Sequence, residues 1–578
     1  MLLLLIFCII VMTRCGVKLA LCNKGCEMRH WFLRLWNSFN AIGLLIGTLF
    51  FAASLTPSLL PRTYVMQGLL SGVTLAAGYG LGVFFTTLWI RLELPRFQPK
   101  IRRFLKITGG SFCIPVLIIF LWRTAEWQNS IRALMQLEPV ETAHPIYVAI
   151  IASISFTFLI GIVRLFKWVM HISSRNAQRF APKPMAYLLG SLIAVAIFWS
   201  AGEGILFRGA LHMADSSFRA LDEMMEPDTE QPLDPLKTGS KASLVSWRDL
   251  GRQGREYIAI APTQEDISAF RNQPALEPIR VYVGLNAADS VEARAKLALK
   301  ELIRAGGFER SSLVVVTPTG TGWVDAEAMD PAEYLLNGDV ASVAVQYSYL
   351  ASWLSLLFEP DYGSKTARAL FREVYGHWTK LPKDKRPKLY LYGLSLGALS
   401  SERSAELFEV IGDPYQGSLL AGPPFPSSVW HAMTEARNPD SPSWLPVVGD
   451  GSYVRFTAQK DALDHAAAPW GPIRTVYLQY ASDPIVFFEY SSLYSKPTWM
   501  DDPRGPDVSP EFRWYPVVTF LQLALDLAMA TTTPMGYGHV YAGEHYIDGW
   551  REVLNLQDWS ADDLNRLKDK FRADRGSL

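Results

Sequence analysis

The chain has 578 residues, enough for more than one domain, with 49% apolar residues and a formal net charge of zero. That balance gives no reason to expect nucleic acid as a partner. All five cysteines (Cys8, Cys15, Cys22, Cys26, Cys113) fall in the first part of the chain, so the remainder has no disulfide framework and no thiolate metal site. Cys22 and Cys26 have a metal-like gap but no matching second pair.

Residues 1–12 are apolar, too short to span a bilayer, and lack a positive flank. They read either as a poor signal-like segment or as an upstream extension of a chain starting at Met28. Residues 1–35 are assigned to a cytoplasmic segment and 36–206 to a transmembrane domain. Five apolar runs mark that domain, at roughly 40–60, 65–90, 107–122, 143–165 and 184–206. Gly78 and Gly82, one turn apart, give the second run a small-residue packing face. Gly78-Tyr79-Gly80-Leu81-Gly82 looks like a phosphate loop, but it lies inside a lipid-length helix. Basic residues crowd the loops before run one, between two and three (Arg91 to Lys106), and between four and five (Arg164 to Lys183). The alternation predicts a cytoplasmic amino terminus and, after five crossings, an extracytoplasmic carboxy-terminal domain.

Phe207, Leu211, Phe218, Leu221 and Met225 have the spacing of an amphipathic helix, followed by an acidic, proline-broken linker to Pro235. From about residue 236, strands and helices alternate. Strand-like runs stand at 279–284, 313–317, 340–347, 388–392 and 475–480, and amphipathic helices at 295–303 and 367–378. Asp330-Pro331 reads as the cap and first turn of a brief helix. The pattern predicts a mostly parallel, doubly wound α/β sheet over 236–578.

The strand at 388–392 runs into Gly393-Leu394-Ser395-Leu396-Gly397 and then a helix-like segment to Leu407. This is the pattern of a nucleophile elbow, in which a strained turn lifts a serine hydroxyl above the sheet and flanking glycines avoid clashes. A serine needs an imidazole to take its proton and a carboxylate to orient that imidazole. Asp483, after the strand at 475–480, is the candidate acid; Asp501 and Asp502 lie farther into a polar loop. His539, in the glycine-rich loop Gly536-Tyr537-Gly538-His539, is the candidate base, with His545 on the following helix as the alternative. The candidate oxyanion-hole amides are those of Leu396 and of Gly320 and Thr321, in the loop after the strand at 313–317. No lysine of a phosphate-binding loop follows that glycine-rich segment, and the chemistry requires neither cofactor nor metal.

These residues, with Ser54 to Arg62, Thr317 to Trp323, Gln346 to Tyr349 and Gly538 to Tyr541, resemble a bacterial family of multi-pass membrane proteins. In that family a transmembrane region precedes an α/β-hydrolase domain. The resemblance implies serine-hydrolase chemistry without supplying a substrate. Membrane attachment and the aromatic stretch Phe487 to Tyr490 point to a lipid or acyl-ester substrate. An acyltransferase would use the same residues. A transporter or sensor whose hydrolase-like domain only binds a ligand is the alternative, against which the scarcity of charges within the spans argues. Nothing in the sequence sets the oligomeric state.

Overall fold

The computed structural model describes residues 39–95, 98–207, 222, 224–226, 229–350, 360–465 and 468–575. The amino-terminal segment, most of the expected amphipathic helix and every cysteine but Cys113 lie outside these residues. The chain forms two compact units. One comprises Met1–Phe207, Glu489–Pro497 and Pro506–Met529; the other comprises Arg208–Phe488, Thr498–Gly505 and Ala530–Leu578. Two segments of the expected 236–578 domain thus group with the helical unit.

The helical unit holds α1 (Ala41–Ser54), α2 (Tyr64–Arg91), α3 (Pro99–Leu134), α4 (Pro145–Ala177) and α5 (Lys183–Trp199), the last continuing into a π-helical turn, Ser200–Phe207. Four of these are long and apolar enough to cross a membrane, within 64–91, 107–134, 145–177 and 183–204. The first expected span is not among them. At 14 residues α1 is about 21 Å long, short of the ~30 Å hydrocarbon core. It stops at Ser54 because Pro57 has no N–H to give and disfavours helical geometry at Thr56. Pro115, by contrast, sits inside α3 without ending it.

Gly78 and Gly82 do serve packing. A Cβ on Gly82 would stand 2.6 Å from Gly43 Cα, and one on Gly78 would stand 2.9 Å from Gly47 Cα. Two small-residue faces therefore let the backbones of α1 and α2 touch.

After α1 the chain runs non-helically and buried from Leu55 to Leu60. Its polar backbone is satisfied by side chains, as irregular backbone in an apolar setting must be. Gln67 Nε2 donates to Ser54 O (2.9 Å) and Arg62 Nη1 to Gln67 Oε1 (2.9 Å). From the helix Val518–Ala528, Gln522 Nε2 donates to Thr56 O (3.0 Å), and Asp526 Oδ2 accepts from Leu59 N–H (3.0 Å). Asp526 Oδ1 stands 3.5 Å from Arg62 Nε, with both side chains fully buried. The spans are poor in charge, but this unit has an ion pair in its interior.

The second unit is built on seven strands: β1 (Ile279–Val283), β2 (Ser312–Thr317), β3 (Val340–Val345), β4 (Lys388–Leu394), β5 (Gly417–Ala421), β6 (Val454–Thr457) and β7 (Arg474–Leu478). They lie in the order β1-β3-β2-β4-β5-β7-β6, all parallel. The inner strands are buried along nearly their whole length, which is why they read as unbroken apolar runs rather than alternating ones. Helices such as Val291–Arg304, Pro360–Trp378 and Gly543–Leu554 cover the sheet. The fold is the predicted α/β one.

The brief helix expected to start at Asp330-Pro331 starts earlier. It spans Ala326–Leu335, capped by Asp325, whose side chain accepts from Glu327 N–H. Pro331 is inside it, and the capping carboxylate of Asp325, six residues upstream, sets the boundary.

Candidate active site

β4 occupies the middle of the sheet and delivers Ser395 at its carboxyl end. Ser395 has φ 58° and ψ −123°, a conformation that L-residues rarely adopt. It is held there from both sides. Its N–H donates to Ala421 O on β5 (2.9 Å), and the helix Leu396–Glu402 begins at the next residue. A Cβ on Gly393 would lie 2.3 Å from the Gly397 carbonyl, and one on Gly397 would lie 2.2 Å from Thr317 O. Only glycine fits either place, so both glycines of the motif are required by the turn. Leu396, in the first turn of this helix, has no intrahelical acceptor for its N–H.

β2 lies beside β4, with Thr317 level with Gly393. The loop after it turns on Thr319 N–H to Trp323 O and Gly322 N–H to Thr319 O, both 2.9 Å. Gly320 and Thr321 are the central residues of that turn. Its carbonyls are tied back by Gln346 Nε2 to Thr321 O (3.1 Å) and Tyr282 Oη to Gly322 O (2.7 Å). The loop is thereby held at the carboxyl end of β2, whose Thr317 and Pro318 carbonyls lie against Gly397 of the elbow.

Asp483 follows β7 and is completely buried. Its Oδ1 accepts from Ile485 N–H (2.8 Å), and its Oδ2 lies 2.7 Å from His539 Nδ1. Tyr541 donates its hydroxyl to the same Oδ2, also at 2.7 Å. The loop bearing His539 is fastened at several points. Gly538 N–H donates to Ser482 Oγ (2.9 Å), His539 N–H to Ala530 O (3.0 Å) and Gly536 N–H to Val540 O (2.7 Å). Gly538 has φ +56° and faces Thr533 so closely that no Cβ fits.

His539 Nε2 is buried and makes no hydrogen bond among the described residues. The ring's position is given by Gly422, the residue after Ala421: a Cβ there would stand 2.7 Å from His539 Cε1. The imidazole edge therefore abuts the strand end that also accepts the Ser395 N–H. One ring nitrogen is committed to a carboxylate and the other is open, the arrangement a general base needs.

The structure brings Ser395, Asp483 and His539 to one end of the sheet. His545 is turned elsewhere: its Nδ1 lies 2.6 Å from Tyr480 Oη. Burial, reinforced by Lys568 and Arg572, pushes it down to about 3, and its Nδ1 is taken up by the Tyr480 hydroxyl. Asp501 and Asp502 are exposed. Two residues at the site escape the sequence reading. Tyr541 stands two places beyond His539, a spacing that could have paired them; Gly422 follows a strand too short to recognise.

A central parallel strand, an elbow at its end and an acid–histidine pair from later segments define the α/β-hydrolase class of fold. Residues 279–567 match the sequence model of the alpha/beta-hydrolase family, and residues 55–262 match that of the same family's N-terminus. The chain belongs to this family. No curated protein and no solved structure matches it.

Proposed function

We propose that the protein is a membrane-anchored serine hydrolase acting on an ester-type bond. The observation that carries this reading is the open, buried Nε2 of His539 beside the elbow, with Nδ1 committed to Asp483. In this reading Ser395 Oγ attacks the substrate carbonyl carbon while His539 Nε2 takes its proton. The tetrahedral oxyanion is met by the N–H groups of Leu396 and of Gly320 or Thr321. Collapse breaks the bond to the leaving oxygen, which receives the proton from His539. Water then repeats the sequence on the acyl-serine and releases the acid. An acceptor alcohol in place of that water would make the same site an acyltransferase.

The four apolar helices support a membrane location and, with it, a lipid or other acyl-ester substrate. Basic residues gather where α2 meets α3 and where α4 meets α5. By the positive-inside tendency these ends are cytoplasmic, so the chain leaves α5 on the extracytoplasmic side. That argument needs only the four long helices and does not depend on α1.

The test is labelling of the full-length protein in detergent with a fluorophosphonate, wild type against Ser395→Ala. Serine-dependent labelling is expected. Its absence in the folded protein would overturn the reading and favour a domain that only binds ligand.

A further inference from the structure

We propose that Tyr541 is a positioning residue of the site, setting through Asp483 the basicity of the acid–histidine pair. This deepens the hydrolase reading and rests on it. Asp483 has no access to water, so an ionised carboxylate there depends wholly on protein donors. It has three: Ile485 N–H on Oδ1, and both His539 Nδ1 and Tyr541 Oη on Oδ2. Two donors on one oxygen compete for its charge. The phenol weakens the hold of the carboxylate on a protonated imidazole and fixes which lone pair the imidazole meets.

Tyr541 is built to stay a donor. Its ring stacks on Tyr480 at 4.4 Å and 23°, and it makes an edge contact with His539 at 5.8 Å. The titratable groups around it are Asp483, Tyr480 and Tyr546, with His539 on its own loop and His545 beyond Tyr480. Burial, then the Asp483 carboxylate, raises the phenol well above its ordinary range, so it keeps its proton. A Cβ on Gly422 would lie 2.8 Å from the Tyr541 ring and 2.7 Å from His539, so one glycine seats both side chains.

The experiment is the pH dependence of the fluorophosphonate labelling rate of the full chain in detergent, wild type against Tyr541→Phe, which keeps the ring and removes only the hydroxyl. Loss of a donor to the charged pair makes the pair easier to protonate. The acidic limb is therefore expected to move to higher pH by about half a unit to one unit, with the plateau rate falling about tenfold. Fluorotyrosine at position 541, a stronger donor in the same shape, is expected to move the limb the other way, and it covers the case in which the phenylalanine variant does not fold. A limb that stays put in both variants would overturn the proposal, whatever happens to the plateau. Labelling that survives in Ser395→Ala would instead sink the hydrolase reading, so the two failures are distinguishable.

Discussion

Asp483 and His539 are 56 residues apart in the chain and 2.7 Å apart in space, Oδ2 to Nδ1. Between them the chain leaves its own unit: Glu489–Pro497 and Pro506–Met529 belong to the helical one. The pair is nevertheless tightly specified, because Gly538 N–H bonds Ser482, the residue before the acid, and His539 N–H bonds Ala530. Replacing the carboxylate by an amide keeps the shape and reverses the hydrogen-bonding preference at Nδ1. Asp483→Asn is therefore expected to lower the serine-dependent labelling rate by about 10⁴ while leaving the protein folded. A fall of less than tenfold would mean that the carboxylate does not orient the imidazole.

Gly422 is the most economical probe of where the imidazole sits. Its φ of +50° already disfavours any side chain, and a methyl there would press on His539 Cε1 at 2.7 Å and on the Tyr541 ring. Gly422→Ala is expected to cost about 1–2 kcal/mol of stability from the backbone alone. The labelling rate should fall far more than that cost suggests, about a hundredfold, because a displacement of an ångström at a reacting group has that effect. A labelling rate within threefold of wild type would show that the ring is not held against position 422.

Most of the second unit was legible because its strands are buried on both faces and its elbow has a local signature. Leu313 to Val316 could be a strand by composition alone, and Gly393 and Gly397 mark a turn that no other residue fits. β5 and β6 were not legible. At five and four residues, with the run in β5 begun by Gly417-Ser418, they have too little apolar length to stand out. Missing β5 concealed Gly422, and with it the seat of His539. In the helical unit apolar length marks the four long helices, but the run at 40–60 carries on past the end of α1 through Leu55 to Leu60, which are buried yet not helical. Apolar length alone does not separate the two; here Pro57, by disfavouring helical geometry at Thr56, ends the helix.

Glu402, at the end of the elbow helix, links that helix to the sheet: Tyr477 Oη donates to its Oε1 (2.8 Å) and Ser427 Oγ donates to its Oε2. Burial pushes its carboxyl up from 4.5 to about 7, against the hydrogen bonds from Ser427 and Tyr477. A carboxyl raised on folding binds more protons in the native state. Its stabilising contribution is complete below about pH 4.5 and is lost as pH climbs through about 7. Glu402→Gln carries no such dependence. The variant is expected to gain thermal stability relative to wild type between pH 5 and pH 8, by up to about 3 kcal/mol. A constant difference in melting temperature across that range would show that Glu402 is ionised throughout.

The buried pair Arg62–Asp526 makes a different kind of demand, since neither side chain has water to fall back on. Arg62 Nη1 also donates to Ser54 O (3.2 Å) and Gln67 Oε1, and Asp526 Oδ2 receives Leu59 N–H, so the pair fastens the non-helical stretch after α1 to the helix Val518–Ala528. Removing one partner strands a charge in an apolar interior, whereas removing both exchanges two desolvation costs for apolar packing. Arg62→Met is expected to destabilise the protein by about 3–5 kcal/mol, and the double variant Arg62→Met/Asp526→Leu to recover at least half of that loss. Recovery should be incomplete, because Leu59 N–H and Ser54 O lose side-chain partners in the double variant. Thermal unfolding in detergent of wild type, both single variants and the double variant completes the cycle. Additive losses would mean that the two charges do not interact, and that Arg62 serves only to satisfy the backbone around Ser54.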